Sequence, residues 1–256
     1  MRFVISNSII ALASLLILGL ALIGNPFAGP SLSNTAFAAF DFFNANFGVC
    51  PTCSNNVCPV SPPGSAGPDC LSPGGGSVKI ADPQKLAEGI NGFIDSTGID
   101  SPYKGMGSDF IQAGGQAGIN PLILIGEAMT ESSLGTAIPC PEGHNAFGRE
   151  ATSSQPNCAV VSSNGNLTPW YIYDSWKDSL YGQAQYVYDV YVNPNGSCPE
   201  CKNSPLSFEA YLNKYSPASD GNDHAAMTKT YEQPLQYIND HGYGSSIICN
   251  PVAGTQ

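Results

Sequence analysis

Charge is scarce in this sequence, and positive charge scarcest of all. Only 11% of the 256 residues are charged, with 9 Lys and Arg against 20 Asp and Glu. A net charge of −11 leaves no basic surface to neutralise phosphates, which excludes nucleic acid as the partner. The same balance argues against electrostatic docking on an anionic wall or membrane. Histidine is sparse as well. None of the 3 stands at ligand spacing beside Cys50-x-x-Cys53 or Cys198-x-x-Cys201, so neither pair reads as a zinc site. No metal and no cofactor is expected. Internal repeats and heptad runs are missing, which argues against solenoids and coiled coils.

The abundant residues are Gly, with 28, and Pro, with 21, which indicate long polar loops rather than a charged helical bundle. At the N-terminus, Arg2 precedes the apolar run Ile9 to Ile23 and the A-x-A site Ala36-Phe37-Ala38. This reads as a signal peptide over 1–38, with a retained membrane anchor as the alternative. Either way the rest of the chain is exported, secreted or held at the cell surface. Nine cysteines suit an oxidising compartment, and Cys140 with Cys158 bracket a segment short enough for a bridge. Residues 39–77 form a Cys-, Pro- and Gly-rich spacer ending S-P-G-G-G-S. A folded domain is expected over 78–242 and a tail over 243–256.

Helical patterning dominates that domain. Asp82-Pro83 caps a helix with Leu86, Ile90, Phe93 and Ile94 on one face. Ser108 is the expected cap of a second short helix, closed by Gly118. From Thr136 to Tyr171 helical periodicity vanishes, and Ala159-Val160-Val161 before Ser-Ser-Asn-Gly suggests a small β-hairpin. Helices resume at Ser175, with a buried stripe Trp176, Leu180, Ala184, Val187 and Tyr191. A short helix over Ser207 to Tyr215 and a final one over Asp223 to Asp240, kinked at Pro234, complete the set. The fold class is α+β, mainly α, with a small hairpin and loop lobe.

The stretch Asn120 to Gly135, N-P-L-I-L-I-G-E-A-M-T-E-S-S-L-G, is the centre of the chain. Asn120 is a helix N-cap, Pro121 suits the first helical position, and Gly135 supplies a left-handed stop. Leu122 to Ile125 leave the first turns no solvent face. Glu127 and Glu131 then fall four residues apart on one face. Burial and like charge both disfavour ionisation there, which raises a carboxyl pKa as a general acid for glycosidic cleavage requires. An exposed rim on an otherwise core helix is the plainer alternative.

Five landmarks in order resemble the glucosaminidase family of peptidoglycan hydrolases. They are G-I-N-P (Gly118 to Pro121), E-S-S-L-G (Glu131 to Gly135), N-A-F-G (Asn145 to Gly148), W-Y-I-Y-D-S (Trp170 to Ser175) and N-K-Y-S-P-A-S-D (Asn213 to Asp220). The resemblance covers Val78 to Gly242 and implies a lysozyme-like fold. It implies that Glu131 is the general acid at the β-1,4 bond next to N-acetylglucosamine, with peptidoglycan glycan strands as partner. Separately from the resemblance, a monomer is expected. Glu127 stands where the family commonly has Gln, either supporting Glu131 or as a bland replacement. Asn145 and Asp220 belong to the matching motifs as supporting residues. Phe147, Trp170, Tyr173 and Tyr215 are aromatic candidates for stacking on sugar rings, core packing being the alternative for Phe147 and Tyr173. Where the family places a later tyrosine, this chain offers His224 or Asp223.

The family's second glutamate has no counterpart here, since Ala151 to Tyr173 contains no Asp or Glu. Glu150 and Asp174 flank the gap, and Asp174 is the expected cap of the long helix. One carboxylate leaves substrate-assisted hydrolysis, lytic transglycosylation to an anhydro sugar, or a catalytically silent wall-binding or assembly protein as alternatives.

Overall fold

The computed structural model describes residues 68–74, 78–161, 166–193, 195 and 206–249. The expected signal segment, most of the spacer and five of the cysteines lie outside the described residues. The chain divides into two compact units, Met1–Val49 with Val161–Thr168, and Cys50–Val160 with Pro169–Gln256. The first is described only at Val161 and residues 166–168 of the hairpin, where Val161 and Leu167 are exposed. The second holds every described helix and is mainly α. In chain order the elements are β1 (Val78–Ile80), α1 (Pro83–Ser96), α2 (Gly107–Ala117), α3 (Pro121–Ser132), β2 (Asn157–Val161) and β3 (Leu167–Tyr171), followed by α4 (Trp176–Val187), α5 (Phe208–Tyr215), α6 (His224–Asp240) and β4 (Ile247–Cys249). No described helix is long and apolar enough to cross a membrane.

The site helix α3 lies at the centre, packed on α2, α4 and α6. Leu122, Ile123, Leu124, Ile125 and Ala128 have no exposed surface. Its N-terminus is closed as expected, with Leu122 N donating to Asn120 Oδ1 at 3.0 Å. Asn120 is itself fully buried, and its Nδ2 donates to the Cys70 and Ser72 carbonyls. Its backbone N donates to Pro73 O at 2.9 Å. The end of the expected spacer is therefore part of the fold. Cys70, Leu71 and Ser72 are buried, and Cys70 is bridged to Cys249. The expected tail changes in the same way. Gly244–Ser246 form a 3-10 turn, and β4 pairs antiparallel with β1, Val78 opposite Cys249. A three-residue strand is too short for periodicity to reveal it.

Three helix ends differ from expectation. Ser108 lies inside α2, whose N-terminus is satisfied from another helix: Gly107 N donates to Asn91 Oδ1 of α1 at 2.7 Å. Gly135 does not itself end α3. The helix stops at Ser132, and Ser133, Leu134 and Gly135 follow in the left-handed region, with φ of 49°, 57° and 83°. At Gly135 a Cβ would lie 2.9 Å from Pro102 Cγ and 3.0 Å from Trp176 Cζ3. Ser175, not Asp174, caps α4, donating to Asp178 Oδ2 while accepting from Asp178 N. Asp82 caps α1 as expected, Ser207 and Asp223 cap α5 and α6 at their expected starts, and α6 continues across Pro234.

The non-helical lobe spans α3 to α4. The expected hairpin is longer than the Ala159–Val161 run, with β2 and β3 forming a two-stranded sheet. Cys140 and Cys158 are bridged across this lobe, as their spacing suggests.

Gly126 sets how closely α3 approaches α6. A Cβ there would come within 2.6 Å of Tyr231 Cγ, in a ring that has no exposed surface and nowhere to turn. Alanine favours a helix over glycine by about 1 kcal/mol. Overpacking costs about 1–3 kcal/mol or more, so it outweighs that gain. Gly126→Ala is expected to lower the urea midpoint without altering the slope; a midpoint equal to or above the parent's refutes this packing account.

Candidate active site

The site is assembled from the C-terminal half of α3, the face of α5 and the first residues of the loop lobe. Glu131 is exposed at the end of α3. Tyr215 of α5 donates its hydroxyl to Glu131 Oε1 at 3.1 Å. One turn earlier, Glu127 has no exposed surface. It accepts a bond from the Tyr211 hydroxyl on Oε1 and from Gln183 Nε2 on Oε2, the latter at 2.8 Å. Glu127 with Tyr211 and Glu131 with Tyr215 make two rungs, each pair four residues apart on its helix. Matching rungs in the same order mean that α3 and α5 run in the same direction here.

Both carboxyls hold their protons to unusually high pH. Burial pushes Glu127 up to about 8, opposed by its bonds from Tyr211 and Gln183 and reinforced by the charge on Glu131. Glu131 is pushed up to about 7 by the protein crowded around it, the Tyr215 hydrogen bond acting in the opposite sense. Glu131 is nevertheless open to solvent.

The lobe reaches Glu131 through Gly148, the last residue of N-A-F-G. A Cβ at Gly148 would stand 3.6 Å from Glu131 Oε2 and 3.5 Å from Trp170 Cζ3, and its φ is +64°. Glycine is needed there for the backbone conformation, and its missing side chain leaves the space beside both the carboxyl and the indole unfilled. Asn145 is buried and fixes this turn: Nδ2 donates to Arg149 O at 2.7 Å and to Tyr171 O at 3.0 Å, and Arg149 N donates to Oδ1 at 3.0 Å. The Arg149 guanidinium lies over the rings of Tyr171 and Tyr186.

Of the other candidates, Trp170 is half-buried beside Gly148 and keeps ring surface available. Phe147 and Tyr173 are only 4% and 7% exposed, so they support the lobe from behind and offer no ring face to a sugar. Asp220 is exposed at the end of the 3-10 turn Ala218–Asp220, and its bond comes from Ser219. His224 donates from Nε2 to Ser216 O at 2.6 Å, bracing the α5–α6 loop. Neither has a bond to Glu131. Sequence reasoning missed Gly148, Gln183 and Tyr211. For Tyr211 a signal was present, because Tyr211 and Tyr215 repeat the spacing of Glu127 and Glu131. Gln183 carries no such mark. No group of three or more His, Cys, Asp or Glu able to hold a metal occurs among the described residues.

Residues 107–249 match the family model named Glucosaminidase and described as mannosyl-glycoprotein endo-β-N-acetylglucosaminidase. That span is more than half of the chain and includes every residue of the site. The chain belongs to the glucosaminidase family. No curated protein matches it significantly. Membership is consistent with peptidoglycan-hydrolase-like activity and suggests a hydrolase. The family match begins at α2, so α1, β1 and Cys70 lie outside the matched residues, while Cys249, to which Cys70 is bridged, lies inside them.

The Glu127 environment makes stability depend on pH. Its folded pKa, about 8, lies above the ordinary 4.5, so the folded state binds the extra proton between those values. Stability then falls as pH rises through that window. Glu127→Gln removes the ionisable group, so its melting temperature should decline less from pH 5 to pH 8 than the parent's. Parallel melting curves across that range would show that Glu127 ionises normally in the folded protein.

Proposed function

We propose that this protein cleaves the glycan strand of peptidoglycan at the β-1,4 bond next to N-acetylglucosamine, with Glu131 as general acid. The observation that carries the reading is Glu131 itself: accessible to a ligand, crowded enough to keep its proton near neutral pH, and oriented by Tyr215. In this mechanism the protonated carboxyl delivers its proton to the bridging oxygen as the bond to the anomeric carbon breaks. Trp170, which like Glu131 borders the open side of Gly148, is the aromatic assigned to stack on the apolar face of a sugar ring in this reading. The bridges Cys70–Cys249 and Cys140–Cys158 support an extracytoplasmic site of action, secreted or tethered through the N-terminal segment.

How the cation-like centre is quenched is a separate matter. Glu127 is sealed and bonded on both oxygens, and Ala151 to Tyr173 lacks any carboxylate. This favours chemistry that needs only one acid/base. Attack by the substrate's acetamido group, followed by water, gives a reducing end. Attack by the 6-hydroxyl gives an anhydro sugar, the lytic transglycosylase outcome and the second reading.

Incubation with purified peptidoglycan and mass spectrometry of the fragments tests both. Hydrolysis yields reducing N-acetylglucosamine ends, and transglycosylation yields products lighter by one water. Glu131→Gln is expected to reduce release by about 10²–10⁴-fold. For the parent, activity should decline as pH rises through about 7, because the general acid loses its proton. Glu131→Gln acting at the parental rate overturns the assignment. Binding without any fragment release supports a silent wall-binding protein instead, and release from a mannosyl glycoprotein but not peptidoglycan moves the substrate class.

A further inference from the structure

A fully buried carboxyl one turn from the site helix's exposed end takes no direct part in the chemistry above. Glu127 cannot reach a substrate, and its two oxygens are engaged by Tyr211 and Gln183. What Tyr211 does next is informative. Its ring stacks on that of Tyr215, centroids 5.4 Å apart and planes inclined by 27°. Tyr191, from the π-helical turn Tyr188–Val192 that follows α4, packs edge-on against both, at 5.3 Å and 6.0 Å. Phe208 also packs against Tyr211, with ring centroids 6.5 Å apart. Tyr215 is the outermost member, half-buried, and its hydroxyl is the one that meets Glu131.

We infer that Glu127 is a positioning residue, which through Tyr211 and the Tyr211–Tyr215 ring stack holds the Tyr215 hydroxyl on the Glu131 carboxyl. The inference rests on the reading of Glu131 as general acid. The two rungs between α3 and α5 are the mechanical basis. The inner rung is desolvated and fixes the spacing and rotation of α5 against α3, so the outer, solvent-facing rung is made by geometry already set. An isolated tyrosine at the surface would divide its hydroxyl between Glu131 and water.

The ionisable groups that share the Glu127 site are Glu131 on its own helix, Tyr211 and Tyr215 on α5, Tyr191 after α4 and Tyr231 on α6. None of them is cationic, so nothing there rewards ionisation of Glu127 by ion pairing. The hydrogen-bonding capacity of its carboxyl is what the neighbours use. A glutamine has the same length and can accept from Tyr211, provided the Gln183 amide turns to present its oxygen.

The test is the pH dependence of kcat/KM on purified peptidoglycan, with melting temperature recorded for every variant. Tyr215→Phe removes the bond that stabilises the Glu131 carboxylate, so its alkaline limb should move to higher pH by on the order of one unit. Tyr211→Phe keeps the ring and loses the anchoring hydroxyl, and it should shift the limb in the same direction by less. The double variant should show no more shift than Tyr215→Phe alone, because both act through one bond. Glu127→Gln should keep the parental limb and kcat/KM within about threefold, rescuing what Glu127→Ala loses. A Tyr211→Phe enzyme with the parental limb overturns the proposal, as does an additive double variant. A Glu127→Gln enzyme as slow as Glu131→Gln would show a charge or proton role for Glu127 and also overturns it. If Glu131→Gln alone retains parental activity, the reading of Glu131 fails first, and the two failures are thereby told apart.

Discussion

A helix with almost no solvent face carries two carboxyls, and most of the architecture around it answers that conflict. Ten of the twelve residues of α3 are buried, Glu127 among them. A buried carboxyl without partners would cost several kcal/mol, so donors must be brought to it. They arrive from two separate elements, Tyr211 on α5 and Gln183 on α4. This requirement ties both helices to α3 by direction as well as by apolar contact, which hydrophobic packing alone does not specify. Gly126 follows from the same need for closeness, because any side chain there would push Tyr231 away.

The loop lobe is attached by different means. It has little apolar core of its own, and Asn145 replaces one with three hydrogen bonds to its own main chain. Arg149 adds a guanidinium held over Tyr171 and Tyr186 and bonded to Gly182 O, which fastens the lobe to α4. The outcome is positional: Gly148 comes to rest against Glu131 and Trp170. A lobe held by directional bonds keeps a narrow approach to the carboxyl without filling it with side chains.

Helices were legible in the sequence where caps and apolar faces agreed, as at Asp82-Pro83 and Asn120-Pro121. Both give local hydrogen bonds that need no tertiary knowledge. Failures came where the satisfying group is remote in sequence. The N-terminus of α2 is closed by Asn91 of another helix, so Ser108 misled. Cys70, Leu71 and β4 lay in segments whose Pro and Gly content or brevity masks burial, and only their mutual pairing explains them. At the site, the pair Glu127 and Glu131 was readable from the helix that carries it, while the role proposed for Glu131 came from the family resemblance. Both rungs, Tyr215 to Glu131 and Tyr211 to Glu127, needed the three-dimensional arrangement. The i, i+4 repeat of Tyr211 and Tyr215 was visible, but nothing in one dimension says which carboxyls it faces.

Chemically similar neighbours on one helix end with separate tasks because solvent reaches one and not the other. Glu131 can exchange its proton with water and touch a ligand, and a general acid must do both in each cycle. Glu127 can do neither. It is engaged on both oxygens and sealed from water, which suits the positioning role inferred for it. Had the exposures been reversed, the apolar turns of α3 would surround the carboxyl proposed as the general acid and close it to any ligand. The left-handed run Ser133 to Gly135 prevents this by ending the helix directly after Glu131, with Ser101 Oγ donating to Leu134 O at 2.8 Å to hold the turn. The helix stops where it must for one carboxyl to emerge and the other to remain inside.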